Sequence, residues 1–241
     1  MADGLPFVLP IVLAALVFAA PIGLALLIAR LDARLSRKRA EVFKAVAQQV
    51  GCAFHLQGIN GYLGDVSTFD LFQHGRTRWF RNVIHGTVRG IEVCLFDYQY
   101  TMGSTRHPQC RHQTAVAFRV PNLNLPDFGL RLKNGSDRFG PWMAGSTLET
   151  QIGYRGIPLE NHERFAERFQ IYARHEAEVR RLFAQDRLDY FAALADVNVE
   201  AHDDRLLVYR HAAPTNPAAV LELMNTALDI LNRLHGEPLS R

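Results

Sequence analysis

Cysteine is scarce in this chain: Cys52, Cys94 and Cys110 are the three present in 241 residues, an odd number at irregular spacing. That excludes a disulfide framework and fits reduced thiols. The sequence has no Gly-x-x-x-x-Gly-Lys loop, no Gly-x-Gly-x-x-Gly turn, no Gly-x-Ser-x-Gly elbow and no His-Glu-x-x-His pair. Phosphate-cradling, dinucleotide-binding, nucleophile-elbow and zincin chemistries therefore lack their usual sequence support. Charge of one sign is also lacking, because 27 basic residues face 24 acidic ones for a net +3. This balance is too even for a nucleic-acid coat, and no nucleic-acid partner is expected. Internal repeats and low-complexity tracts are absent, which removes solenoids and propellers. What is present is a folded composition, 48% hydrophobic and 21% charged, outside the range of disordered chains.

The apolar residues are unevenly placed. No charged residue occurs from Leu5 through Ala29, and a helix of that length spans roughly 37 Å, enough for a bilayer core. The run predicts a transmembrane helix over 5–29, with Pro21 and Gly23 as its kink. A cleaved signal fits less well, since Met1 to Gly4 contain Asp3 and no basic residue, and Pro21 follows the Ala19-Ala20 pair. Arg30, Arg34, Arg37, Lys38 and Arg39 come directly after the run. By the positive-inside rule they predict a single-pass protein of the inner membrane, N-terminus outside and the larger domain cytoplasmic.

Beyond the run, Leu31, Leu35, Val42, Phe43, Val46 and Val50 recur at helical spacing and Gly51 follows, predicting an amphipathic juxtamembrane helix over 30–50. Strands are predicted at 82–89, 91–101 and 110–120 from their period of two, with Arg89-Gly90 as the first turn. Shorter apolar pieces at 128–132 and 169–173 extend the sheet, and Asn134 to Gly156 lacks a pattern. The C-terminal third reads as a helix over 176–194 broken near Asp186, a hairpin turning at Asp203-Asp204, and a last helix ended by Gly236. The expected fold class is thus α+β: a transmembrane helix, then a domain over 51–241 built on an antiparallel sheet with flanking helices, with a sub-boundary near 175 and a C-terminal helix-hairpin-helix unit.

Arg89-Gly90-Ile91-Glu92-Val93-Cys94-Leu95-Phe96-Asp97-Tyr98, Phe165 to Ala173 and Leu206-Leu207-Val208-Tyr209 together carry a resemblance. Over roughly residues 80 to 235 the chain resembles an uncharacterised family of bacterial membrane-anchored proteins, a domain of unknown function. The resemblance implies an N-terminal span before a cytoplasmic α+β domain and carries no catalytic residues across.

Two clusters bear chemistry. Residues 30–112 hold twelve basic against six acidic residues, and within them Arg76, Arg78, Trp79 and Arg81 interleave cations with an aromatic ring. With Arg30, Arg34, Arg37, Lys38 and Arg39 they form the expected contact surface for the lipid bilayer, a protein partner or a second copy. His107, Cys110 and His112 are of zinc-ligand type, and Cys94 or His85 offers a fourth ligand. No second Cys-x-x-Cys or His-x-x-x-His completes the set, so no cofactor is expected. Asp97, amid aromatic residues, and the pair Glu163 and Glu167 read as a hydrogen-bonded sheet carboxylate and a solvated face. The sequence therefore points to a non-enzymatic, membrane-anchored interaction or scaffolding module, the alternative being an enzyme or metal-dependent sensor built on His107, Cys110 and His112.

Overall fold

The computed structural model describes residues 5–58, 68–73, 75–88, 90–104, 106–133, 153–159, 162–194, 197–210 and 219–236, the side chains of 5–21 excepted. The chain forms two compact units, 1–42 and 43–241. The first consists of most of helix α1 (Leu5–Val50). Among its described side chains, Ile22, Leu24, Leu26, Leu27 and Ile28 are exposed, and only the eight residues from Ile22 to Ala29 precede Arg30.

This corrects the sequence reading. Among the described residues no helix is long and apolar enough to cross a membrane: the described side chains of α1 run uncharged from Ile22 to Ala29 before Arg30, well short of the roughly 20 apolar residues a span needs. The transmembrane helix over 5–29, the single-pass topology and the inner-membrane location with a cytoplasmic domain are overturned by that finding; residues 5–21 of the expected span fall outside the described side chains. The amphipathic stripe is also shorter than expected. Leu31 and Leu35 are exposed, whereas Phe43, Val46 and Ala47, at i, i+3 and i+4, are buried within the second unit.

The second unit is sheet-rich, one large antiparallel sheet where the sequence predicts an α+β domain behind a transmembrane helix. Its strands are β1 (Ala53–Gln57), β2 (Arg78–Val88), β3 (Ile91–Met102), β4 (Gln109–Arg119), β5 (Leu125–Leu132), β6 (Arg155–Ile157), β7 (Phe169–Ala173), β8 (Asn198–Asp203) and β9 (Arg205–Arg210). Among the described residues they make one nine-stranded sheet in the order β1-β2-β3-β4-β9-β8-β5-β7-β6. Each pairing is antiparallel. The helices are α2 (Glu163–Arg168), α3 (Glu176–Leu182), α4 (Gln185–Ala193) and α5 (Val220–His235).

Both faces of the sheet centre are covered, which is why β3 is apolar on both sides. On one face Cys94, Phe96, Tyr98 and Tyr100 join Ala115, Ala117, Leu207 and Tyr209 under Phe69, Leu71 and Phe72. Those three come from a segment whose 3-10 turn is Asp70–Gln73. Phe72 meets Tyr98 edge-on at 4.9 Å between centroids, and pairs of this kind contribute about 0.5–1.5 kcal/mol beyond area burial. On the opposite face α5 packs across β4 and β9. It buries Val220, Leu223, Met224, Ala227, Ile230, Leu231 and Leu234. Gly236 ends the helix at φ 81°, the left-handed cap that favours glycine. Phe183 meets both Phe128, at 5.1 Å, and Phe191, at 5.5 Å, which ties the helices between β7 and β8 to β5.

Candidate functional site

Two groups of charged residues stand out in the second unit, one buried and one exposed. The buried group centres on Arg131 of β5, next to Gln170 in register. Its Nη2 donates to Asp70 Oδ2 and to Glu200 Oε1, each at 2.8 Å, and its Nη1 donates to the Tyr209 hydroxyl. The hydroxyl of Tyr209 donates in turn to Glu200 Oε1 at 2.9 Å. Glu200 also accepts the backbone N–H of Asp70 at 2.6 Å and that of Leu71 at 3.2 Å. One carboxylate on β8 therefore binds an arginine, a tyrosine and the start of the 3-10 turn. Asp70, Arg131 and Glu200 are all buried. Burial opposes the charge on Arg131, but Glu200, Tyr209 and Asp70 more than offset it and hold its pKa well above the usual value. Burial also pushes the Tyr209 phenol well above the tyrosine range. Chemically the group is a lock: its charges pair with one another, Arg131 Nε alone of that guanidinium having no hydrogen-bond partner among the described residues, and fasten residues 68–73 over the aromatic floor.

Sequence reasoning missed this lock. Its signal is a charge at a core position: Arg131 lies in the run Phe128 to Leu132, and Glu200 between Val199 and Ala201. Buried charges of this type require partners, but which partners is decided by a sheet order that pairs β8 with β5 and β9.

The exposed group lies where β2 begins, β3 ends and β4 begins. Arg76, Arg78, Trp79 and Arg81 are all exposed there, so the structure brings together the four residues singled out in the sequence. They divide into two kinds. Arg76 donates to the Gly103 carbonyl at 2.7 Å, and Arg78 to the carbonyls of Gln73 and Gly75 at 3.2 Å, bracing the turn before β2. Gly75 is needed in that turn, with φ +76° and a Cβ that would stand 2.7 Å from the Tyr100 ring. Among the described residues Trp79 and Arg81 make no side-chain hydrogen bond; the guanidinium lies over the indole, 5.9 Å from its centroid. Among the described residues Arg76, Arg78, Arg81 and Arg106 have no carboxylate partner.

The other expected sites fall elsewhere. Arg30, Arg34, Arg37 and Lys38 are exposed on α1 in the first unit and Arg39 is half-buried. Cys110 and His112 share one face of β4, with Cys110 accepting from Gln99 Nε2 at 2.8 Å. His107 sits in the preceding loop, its N–H bonded to Ser104. Among the described residues no three His, Cys, Asp or Glu side chains gather as a metal-ligand set. Asp97 accepts from Asn82 Nδ2 at 2.8 Å and Thr114 Oγ1 at 2.9 Å, spanning three strands. Glu163 and Glu167 are exposed on α2.

No protein-family profile matches the chain, and no curated protein does. Among solved structures the chain is similar to the crystal structure of the mycobacterial trehalose monomycolate transport factor A, TtfA. The TM-score is 0.54 at 15% identity, covering 83% of this chain and 94% of that one. The similarity establishes a shared fold over most of both chains.

Proposed function

We propose that this protein is a non-enzymatic interaction module that holds a protein partner through the basic tip of β2, β3 and β4. One observation carries the reading: the tip gathers exposed arginines with no carboxylate partner among the described residues around a half-exposed tryptophan, while the buried Arg131 is held by Asp70, Glu200 and Tyr209. Buried, mutually bonded groups offer a substrate nothing to bind, whereas exposed Arg and Trp are the residue types that dominate protein contacts. The fold shared with a protein named as a transport factor fits a non-enzymatic, transport-associated role. The resemblance to bacterial proteins with a Gly-x-Glu-Val strand belongs to this proposal through its α+β domain alone.

The test is crosslinking of the full-length tagged protein in cells, followed by mass spectrometry, beside a variant carrying Arg76→Glu, Arg78→Glu and Arg81→Glu. The expected result is a stoichiometric partner that the variant loses while its circular dichroism is unchanged. A partner captured equally by both proteins would contradict the tip as contact surface. Absence of any partner would contradict the module reading and return weight to small-ligand chemistry.

A further inference from the structure

The tip has two faces, and only one is closed. On the closed face Phe80, Tyr98 and Tyr100 lie in the aromatic cluster under Phe72. The register places Trp79 opposite Gln99, and Gln99 opposite His112, in one row across the other face. The neighbouring rows are Arg81, Asp97 and Thr114 on one side and Thr101 with Cys110 on the other. Neighbouring strands are about 4.8 Å apart, so each three-strand row is about 10 Å wide. Trp79 is 46% exposed, and Arg81, Cys110 and His112 are exposed beside it.

Asp97 is the one carboxylate in these rows, and it does not serve Arg81. Its two oxygens accept from Asn82 and Thr114, while Arg81 lies out over the indole. The face thus presents a guanidinium with no carboxylate partner, a flat apolar ring and polar side chains at the spacing of a pleated strand. Arg76, Arg78 and Arg106 surround it with further positive charge that has no carboxylate partner among the described residues.

We infer that this face docks an acidic, extended segment of a partner protein, with a carboxylate on Arg81, an apolar side chain on Trp79 and polar contacts along Gln99 and Thr101. The inference rests on the interaction-module reading and adds to it the face and the chemistry of what it binds. Charge complementarity selects the sign of the segment, since the arginine fork matches a carboxylate with two parallel bonds. The flat face selects an extended segment, whose side chains alternate at the same period as the rows beneath it. A bilayer fits less well: among the described residues of β2 to β4, Trp79 is the one large exposed apolar side chain, and it lies on the sheet instead of at the loop end, which carries Ser104, Arg106 and His107. Steering by the surrounding arginines makes the association salt-sensitive.

The experiment is fluorescence anisotropy on the full-length protein with a fluorescein-labelled dodecapeptide in which glutamate alternates with leucine and serine. A second peptide has lysine in place of each glutamate, and vesicles of phosphatidylglycerol with phosphatidylcholine are a third probe. The expected result is saturable binding of the glutamate peptide alone, weakened about tenfold or more by Arg81→Glu and about fivefold by Trp79→Ala, as for residues central to a contact. Arg81→Gln is expected to fall between wild type and Arg81→Glu. Arg164→Glu, the same charge change on the exposed face of α2, is expected to alter binding by less than about twofold. Equal losses from Arg81→Glu and Arg164→Glu would overturn the proposal, as would the absence of saturable binding. Vesicle binding that depends on Arg81 without peptide binding would overturn it in favour of a lipid surface. If the peptide fails while the crosslinked cellular partner persists, this assignment falls alone; if no cellular partner exists, the module reading falls with it.

Discussion

Arg131 and Arg81 make the same local contact in opposite surroundings. Each lays its guanidinium over an aromatic ring, Arg131 at 5.4 Å from Tyr209 and Arg81 at 5.9 Å from Trp79. Arg131 is buried with Asp70 and Glu200 against it, while Arg81 is exposed and has no carboxylate partner among the described residues. The difference teaches how one sheet uses the same residue type twice. Inside, the cation has a high cost of desolvation and persists only because two carboxylates and a phenol surround it. Outside, it keeps its hydration and is available for a partner's charge.

The widest test of that contrast is removal of each cation. Arg131→Ala leaves Asp70 and Glu200 buried without it and is expected to cost about 3–5 kcal/mol, the loss seen when one member of a buried pair is deleted. Denaturant unfolding would measure it, and a cost under 1 kcal/mol would show that the lock is not needed. A second comparison uses the tyrosines. Tyr209→Phe removes a hydroxyl that accepts from Arg131 and donates to Glu200, with an expected cost of about 1–3 kcal/mol. The Tyr98 hydroxyl is buried with no hydrogen-bond partner, so Tyr98→Phe is expected to be neutral or slightly stabilising in the same assay.

Alkaline titration tests the buried tyrosines together. Burial raises the pKa of Tyr98, Tyr100 and Tyr209, so above the ordinary tyrosine value of about 10 the unfolded chain releases protons that the folded chain retains. Stability is therefore expected to be fully present below about pH 10 and to fall as the pH rises towards the raised folded-state values. Unfolding followed by tyrosinate absorbance would show it; titration of all seven tyrosines near the ordinary value before any unfolding would contradict it. The smallest effect is expected at the tip, where Arg81→Glu changes stability by less than about 0.5 kcal/mol.

Much of the sheet was legible in the chain. The alternation from Ile91 to Thr101 reports β3 because its two sets of side chains enter two different apolar layers, and Asp203-Asp204 marks the β8–β9 turn because polar residues there interrupt two apolar runs. Asp203 has φ 51°, a left-handed conformation that aspartate tolerates. The extent of the sheet was not legible. Shifts of pairing, such as that between Arg81 and Ile84 in β2, and the joining of β4 to β9 depend on contacts between residues far apart in sequence. The lock was invisible for the same reason, since Asp70 and Glu200 are 130 positions apart. At the tip the basic and aromatic residues could be picked out, but not their division of labour: whether an arginine braces a carbonyl, as Arg76 does, or lies over an indole, as Arg81 does, is decided by turns such as the one at Gly103. There φ is +82° and a Cβ would meet the His107 carbonyl at 2.6 Å. The apolar run over 5–29 predicts a span from its length, whereas among the described side chains the run keeps Ile22 to Ala29, too few to cross a bilayer.

The central claim is that the tip binds and the lock supports. Crosslinking in cells with Arg81→Glu alone, beside a thermal melt of the same purified protein, tests it most directly. A partner lost from a protein that melts as wild type does is the predicted result. A partner retained at wild-type yield would contradict it.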